Sequence, residues 1–144
     1  MNSIGLITST TTILTIWFGH VLVRKLEARV NRLLPLILIC VGLGITFGIG
    51  AGISSHNSIS AISGIISITF LWDALEFVRQ EKRVKIGHAP ANPHNPRHAR
   101  ILAQYPSATT VDILAREPRG APYTPSEIDA ILHPSDFLAE KPTE

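Results

Sequence analysis

Residues 33–53 read LLPLILICVGLGITFGIGAGI and open a longer run, residues 33–72, that contains no Asp, Glu, Lys or Arg. A run of this length does not suit the surface of a soluble domain, where charged side chains are frequent. An α-helix needs about 20 apolar residues to cross the roughly 30 Å hydrocarbon core of a bilayer. Residues 33–53 have that length, so we predict that they form a transmembrane helix.

Two further apolar segments of similar length flank this stretch, at about residues 4–23 and 60–78. Inside a bilayer every backbone polar group must be satisfied within the segment, which favours helices. The sequence therefore predicts an all-α fold whose region 1–80 holds three transmembrane helices. The first segment has no basic residue before it and no small-residue cleavage site after it. We therefore expect it to be retained and not removed as a signal peptide.

The basic residues predict the orientation of these helices. Four lie between the first two segments, the link 54–60 has none, and four more follow the third segment. By the positive-inside rule, the N-terminus lies outside and the tail lies in the cytoplasm of a bacterial inner membrane. The basic residues are Arg24, Lys25, Arg29 and Arg32, followed by Arg79, Lys82, Arg83 and Lys85. The basic part of the tail, residues 82–119, suits anionic lipid at the inner leaflet, which its acidic end, residues 127–144, would avoid.

Composition excludes several classes of protein and site. A single cysteine, Cys40, rules out a disulfide framework and a cysteine-rich metal site. The basic residues do not gather into one patch, so we expect no nucleic-acid partner. His94 and His98 have the spacing of helical metal ligands, but Pro96 between them predicts that His94 precedes the helix, and we expect no metal site. No nucleophile stands beside a base, so we expect no catalytic activity.

The tail, residues 81–144, contains nine of the ten prolines and is expected to be proline-rich and cytoplasmic. Its apolar residues are too few for an ordinary independent core. We therefore expect it to pack against a partner or to be loosely ordered alone, with short helices between the prolines. Cap signals predict these helices at Arg97–Gln104 after Asn95-Pro96, from Thr109 or Thr110 to Arg116, and at Ile128–Leu132 after Thr124-Pro125-Ser126-Glu127.

Small residues recur at helical spacing in all three segments. Residues four apart lie on one helix face, and small side chains there let another helix approach closely. Two interpretations stay open: packing within the three-helix bundle, or a seam for another subunit. The positions are Thr8, Thr12, Thr15 and Gly19 in the first segment, Gly44, Gly48 and Gly52 in the second with Gly42 and Gly50 beside them, and Gly64 with Ser60 and Ser67 in the third.

Three ionisable residues, His20, Asp73 and Glu76, lie near the predicted cytoplasmic ends of the first and third segments. Ionisable groups at membrane depth are costly unless they are paired or hydrated, which makes them candidates for function. They could be structural, with Glu76 paired to a nearby basic residue. They could instead relay protons or ions, or His20 could contact a cofactor such as haem or a quinone. A bis-histidine haem would need a partner chain, because the three segments contain no second histidine.

Two stretches resemble a family of small three-helix bacterial inner-membrane proteins of unknown function. They are HVLVRKLE at residues 20–27 and LWDALE at residues 71–76, the latter followed by QEKRV at residues 80–84, Gly87 and Asn92-Pro93. The resemblance covers about residues 4–93 and implies a three-helix membrane fold without a known activity. At Val21 the family usually has proline. The resemblance draws attention to His20, Lys25, Glu27, Trp72, Glu76 and residues 80–84.

These observations favour a non-catalytic function. We expect an accessory or structural subunit of a larger inner-membrane complex, anchored by three helices and docking through its tail. Its partners would be other membrane-protein subunits or further copies of itself. The alternative is a proton or ion relay, or a cofactor-contacting subunit, that uses His20, Asp73 and Glu76. We expect no resident cofactor, while a bound lipid and a haem contact through His20 stay open.

Overall fold

The computed structural model describes residues 3–112 and 123–133. Within these residues it contains helices and no strand, which confirms the all-α prediction. In chain order the helices are α1 (Ser3–Arg29), α2 (Leu34–Ile53), α3 (Asn57–Lys85), α4 (Pro96–Gln104) and α5 (Pro125–Leu132).

The first three helices are each long and apolar enough to cross a membrane, as the sequence predicts. Helices α1 and α3 continue past the predicted apolar segments, to Arg29 and Lys85 respectively. Their extensions, residues 24–29 and 79–85, contain no Gly or Pro and are rich in Arg, Lys and Glu. Because those residues are good helix formers, the helices end well beyond the point where the sequence stops being apolar.

The end of α3 is set by Gly87, which has a positive φ of 75°. The His88 N–H donates to the Arg83 carbonyl at 2.8 Å, and the Gly87 N–H donates to the Val84 carbonyl at 3.2 Å. This pair of bonds is a Schellman motif, in which glycine takes the left-handed conformation at low cost. A Cβ at Gly87 would also collide with the carbonyl oxygen of Ser107. Both the backbone conformation and the available space therefore require glycine.

The described chain divides into two compact units. The three-helix unit comprises residues 3–27 and 32–78. The tail unit comprises residues 28–31, 79–112 and 123–133, so the last residues of α1 and α3 belong to it.

The tail unit has a small core of its own. Val84, Ala89, Ala91, Ile101 and Ala108 are buried and pack together. Most of them are alanines, which a search for large apolar side chains overlooks. The expectation that the tail would lack an independent core is therefore wrong for residues 79–112.

The two described tail helices begin at the predicted cap signals. Helix α4 starts after Asn95, whose side-chain oxygen accepts a hydrogen bond from the Arg97 N–H at 2.9 Å. Helix α5 starts after Thr124 with the predicted capping box, in which Thr124 and Glu127 each accept from the other's backbone N–H. The short helices predicted at these two places are confirmed.

The helix predicted from Thr109 or Thr110 does not begin by Asp112, and residues 113–116 lie outside the described residues. The Thr109 carbonyl accepts from the Ala91 N–H at 2.8 Å, and its hydroxyl accepts from the Val111 N–H at 3.1 Å. The Thr109 carbonyl, which would accept the first intrahelical bond of a helix starting there, is thus engaged by Ala91.

Candidate functional site

Three carboxylates are buried in the three-helix unit, toward the C-terminal ends of α1 and α3. Glu27 is 1% exposed, Glu76 is 4% exposed and Asp73 is 8% exposed. His20 and Lys25, the other members of the predicted polar cluster, have exposed side chains. Asp73 lies within electrostatic range of His20 and Glu76, so the structure brings these three together. Within the described residues, Lys25 and Glu27 are not among the charges that act on Asp73.

Gly19 on α1 makes room for the Asp73 carboxylate on α3. A Cβ built at Gly19 would lie 2.7 Å from both carboxylate oxygens and 3.0 Å from the carboxylate carbon. No larger residue fits at this position unless Asp73 moves. The sequence pattern predicts that Gly19 lets another helix backbone approach closely. In the structure, Gly19 instead makes room for a charged side chain, that of Asp73.

The Asp73 carboxylate forms no hydrogen bond and no ion pair with any residue that the structure describes. Burying a carboxylate in this way is unfavourable, because the attraction of the nearby His20 offsets the loss of hydration only in part. Buried polar groups without a partner are rare in folded proteins, and each calls for a physical explanation.

Asp73 is among the residues that line a half-open pocket of about 310 Å³ in the three-helix unit. The wall is mostly apolar, with aromatic rings from all three helices and hydroxyl groups from α1 and α3. Phe47 on α2 stacks against Phe70 on α3, with the ring centroids 6.0 Å apart. The Oγ1 atoms of Thr15 and Thr69 lie 3.4 Å apart. The site is thus a half-open, almost wholly apolar pocket beside a buried acidic residue.

Helices α2 and α3 meet through small residues. A Cβ at Gly44 would lie 2.7 Å from Cγ of Leu71 and 3.2 Å from the Ser67 carbonyl oxygen. The Ser67 hydroxyl donates to the Gly44 carbonyl at 2.7 Å, and a Cβ at Gly48 would lie 3.0 Å from that hydroxyl oxygen. Two of the predicted glycines therefore serve close packing and hydrogen bonding within this chain, as is common between membrane helices.

The other predicted packing positions are used differently. A Cβ at Gly64 would make an ordinary contact of 3.9 Å with Ala51, whereas a Cβ at Gly52 would meet no atom of the described chain within 4 Å. Thr8 and Thr12 each donate a hydroxyl hydrogen bond to a carbonyl of their own helix, α1. Some of the predicted small residues therefore contact another helix of this chain, and others have no described atom near them.

The tail unit contains a buried polar network whose connections the sequence analysis missed. Asn95 donates through Nδ2 to the carbonyls of Ala28 at 3.1 Å and Val30 at 3.0 Å. Asn92 donates to the same Ala28 carbonyl at 3.0 Å, and Arg97 donates through Nε to Val30 at 3.3 Å. These bonds satisfy the Ala28 carbonyl, which the end of α1 leaves without a helical partner, and the Val30 carbonyl just after the helix. Local patterns identified Asn95 as a helix cap but could not reveal a contact so distant in sequence.

Two charged or polar side chains complete this network. The Arg97 guanidinium forms an ion pair with Glu81 at 3.0 Å, and its Nη2 lies 2.9 Å from Nε2 of His98. Nδ1 of His98 accepts from the Asn92 N–H at 2.9 Å, and His98 is 0% exposed. His94 is exposed and precedes α4. The described residues contain no group of three His, Cys, Asp or Glu side chains that could hold a metal ion.

Comparison with known proteins identifies a family and no characterised relative. No curated protein and no solved structure matches the chain. A family model described as a domain of unknown function, DUF4491, matches residues 2–95, which is more than half of the chain. The matched region includes α1, α2, α3 and the asparagines that cap α1, and it ends before α4. This confirms the expectation of a family of unknown function. The chain therefore belongs to the DUF4491 family.

Proposed function

We propose that this protein is a non-catalytic accessory or structural subunit of a larger complex in the bacterial inner membrane. The observation that carries the proposal is a second small-residue face on α2, formed by Gly42, Thr46 and Gly50. These residues are four apart and so share one face, and helical geometry places it opposite Gly44 and Gly48, which face α3.

Nothing in the described chain covers this second face. A Cβ at Gly42 or Gly50 would meet no described atom within 4 Å, and Thr46 is exposed. A glycine inside a helix costs about 1 kcal/mol relative to alanine. At Gly44 close packing offsets that cost, but at Gly42 and Gly50 no contact within the described chain does. A helix of another subunit, or of a second copy, would supply one.

The tail offers a second contact surface for the same complex. Ile128 and Leu132 lie four apart on α5 and are 44% and 60% exposed. Residues at this spacing form one helix face, which suits docking into an apolar groove of a partner. The tail would therefore contribute the docking element, and the three apolar helices would contribute the anchor.

Crosslinking in native membranes, followed by native mass spectrometry after mild solubilisation, tests the proposal. The wild-type chain should be recovered in an assembly, and the double substitution Gly42→Ile and Gly50→Ile should reduce its yield by roughly tenfold because the added side chains block close approach. Gly52→Ile is the matched control, because it adds the same bulk to α2 at another uncovered position. Recovery of monomer alone from wild type, or equal loss in the control, would refute the proposal.

The proposed orientation places the N-terminus outside and the tail in the cytoplasm. It follows from the basic residues after the first and third segments. A reporter enzyme that is active only in the periplasm should be silent when fused after Glu144 and active when fused before Met1. The opposite pattern would reverse the orientation.

The relay hypothesis remains the second candidate, favoured by the burial of Asp73 and Glu76 and by the electrostatic interaction of Asp73 with both His20 and Glu76. Intramembrane ionisable residues often mark proton or ion pathways. If the hypothesis holds, Glu76→Gln should change proton or ion flux in reconstituted vesicles while leaving the assembly intact. Unchanged flux, with the assembly retained, would exclude a relay through Glu76.

A further inference from the structure

An open pocket of about 300 Å³ lies in the tail unit, between the end of α3 and the short helix α4. Its lining comes from one face of each helix. Glu81 and Lys85 lie four apart on α3, and Arg97, Arg100 and Gln104 follow one another at spacings of three and four on α4. Most of the lining side chains are charged or polar, unlike those of the pocket in the three-helix unit. The inference drawn from this pocket does not depend on the function proposed above.

Positive charge exceeds negative charge in this pocket. Among the described residues that line it, Glu81 is acidic, whereas Lys85, Arg97 and Arg100 are basic. Both oxygens of the Glu81 carboxylate are engaged, because Oε1 pairs with Nζ of Lys85 and Oε2 pairs with Nη1 of Arg97 at 3.0 Å. A single carboxylate compensates only one of the three cations, so two positive charges remain in excess.

Arg100 carries the part of this excess that has no partner. Its side chain is exposed and forms no ion pair or hydrogen bond within the described part of the chain. Arg97 is instead buried, and its ion pair with Glu81 holds the guanidinium in place. Lys85 is held by the same carboxylate and by the ring of Tyr105, whose centroid lies 5.5 Å from Nζ. The pocket therefore presents an unpartnered guanidinium beside two cations in fixed positions.

A phosphate monoester complements this arrangement. It carries close to two negative charges near neutral pH and presents three oxygens that accept hydrogen bonds. Arginine binds such oxygens through two parallel N–H groups, and lysine binds them as a point charge. Tyr105 and Gln104, which also line the pocket, carry a hydroxyl and an amide that can donate further hydrogen bonds. A metal ion or an ammonium ion would instead be repelled by the excess positive charge.

We propose that this pocket binds a phosphate monoester. The phosphate oxygens lie against Arg100 and Lys85, and the buried Arg97 adds positive charge beside them. Glu81 is a positioning residue, because it orients both Lys85 and Arg97. A volume of about 300 Å³ lies at the lower end of the range for small-molecule pockets, so the substituent of the ester is small or extends through the open side.

Phenyl phosphate and phenyl sulfate test the proposal, because they have similar shapes but differ by about one negative charge near pH 8. Binding of both is measured by equilibrium dialysis in about 0.15 M salt, with the full chain in dodecyl maltoside micelles and with empty micelles as background. Wild type should bind phenyl phosphate about tenfold or more tightly, since only this probe compensates both excess charges. Equal binding of the two probes, or binding of neither, would overturn the proposal.

Variants of one basic residue make the result specific. Arg100→Gln removes the unpartnered guanidinium and should weaken binding of phenyl phosphate about tenfold or more, whereas Arg100→Lys keeps the charge and should lose less. Because Arg100 is exposed, hydrogen exchange in α4 should stay as slow in both variants as in wild type.

The matched control is Lys82→Gln, because Lys82 is an exposed cation of α3 that does not line the pocket. Salt screens its charge, so this variant should change the affinity for phenyl phosphate by less than about threefold. Unchanged binding in Arg100→Gln, or an equal loss in Arg100→Gln and Lys82→Gln, would overturn the proposal.

The phosphate monoester could belong to a soluble molecule or to a lipid headgroup, and a competition experiment separates these sources. Phosphatidic acid, whose headgroup is a phosphate monoester, is added to the micelles at increasing amounts, with the diester phosphatidylglycerol as the control lipid. Displacement of phenyl phosphate by phosphatidic acid alone assigns the site to a lipid headgroup. No displacement by either lipid assigns it to a soluble phosphate monoester. Equal displacement by both lipids would show general attraction of anionic lipid and would overturn the proposal.

Discussion

The Asp73 carboxylate occupies the space that a side chain on Gly19 would fill, with both oxygens 2.7 Å from the position of the missing Cβ. The two residues lie on different helices of the same unit, so the position of one restricts the identity of the other. A glycine that looks like a simple packing residue is therefore also a determinant of where a buried charge lies.

Gly19→Ala should destabilise the three-helix unit by about 1–3 kcal/mol, because the new methyl group forces Asp73 out of its position. The free energy of unfolding can be measured by titration with sodium dodecyl sulfate in mixed micelles. In the double variant Gly19→Ala with Asp73→Ala, the loss should be smaller than the sum of the single losses, since the collision is removed. Gly52→Ala is the control and should cause no loss, because a Cβ there meets no described atom within 4 Å. Additive losses would show that the two residues do not interact.

The three long helices could be predicted from sequence because a helix that crosses a bilayer needs about 20 consecutive apolar residues. Residues 33–53 have the length and apolarity that a bilayer requires, and α2 has nearly the same bounds. The ends of α1 and α3 could not be predicted from apolarity, because Arg29 and Lys85 lie on helices that continue past the apolar segments. Helix ends depend instead on backbone groups, as Gly87 illustrates.

The candidate site could be predicted only as a set of residues. Sequence identified His20, Asp73 and Glu76 because ionisable groups are rare in apolar segments. It could not identify Phe47 as a neighbour of Phe70, because that contact depends on the rotation of α2 relative to α3. The apolar pattern of α2 is nearly uniform around the helix, so it does not indicate which side faces the other helices.

Gly44→Ala should destabilise the packing of α2 against α3 by about 1–3 kcal/mol, because its Cβ would overlap Leu71 and press on the backbone of Ser67. Gly52→Ala makes the same chemical change on α2 where a Cβ meets no described atom, and it should be neutral or stabilising by up to about 1 kcal/mol. Titration with sodium dodecyl sulfate compares the two variants directly. Equal stability of both variants would contradict the observed contact between α2 and α3.

Asn95→Ala should destabilise the tail unit by about 1–3 kcal/mol, because it removes the N-cap of α4 and one of the two side-chain donors to each of the carbonyls of Ala28 and Val30. Hydrogen exchange in α4 should become faster, and the tail should be cleaved more readily by protease in membrane preparations. Asn31→Ala is the matched control, because Asn31 is exposed. If hydrogen exchange in α4 is as slow in both variants as in wild type, the capping bonds contribute little to the stability of the tail unit.

Gly87→Ala should destabilise the tail unit for two separable reasons. A non-glycine residue in the left-handed conformation costs about 1–2 kcal/mol, and its Cβ would in addition collide with the Ser107 carbonyl. Asparagine tolerates this conformation better than alanine but has the same Cβ. Gly87→Asn should therefore recover only part of the loss. Hydrogen exchange at His88 and Ala91, whose N–H groups donate to the carbonyls of Arg83 and Thr109, measures the effect. Full recovery by asparagine would show that Ser107 moves away at no cost, and unchanged exchange in Gly87→Ala would show that the turn does not require glycine.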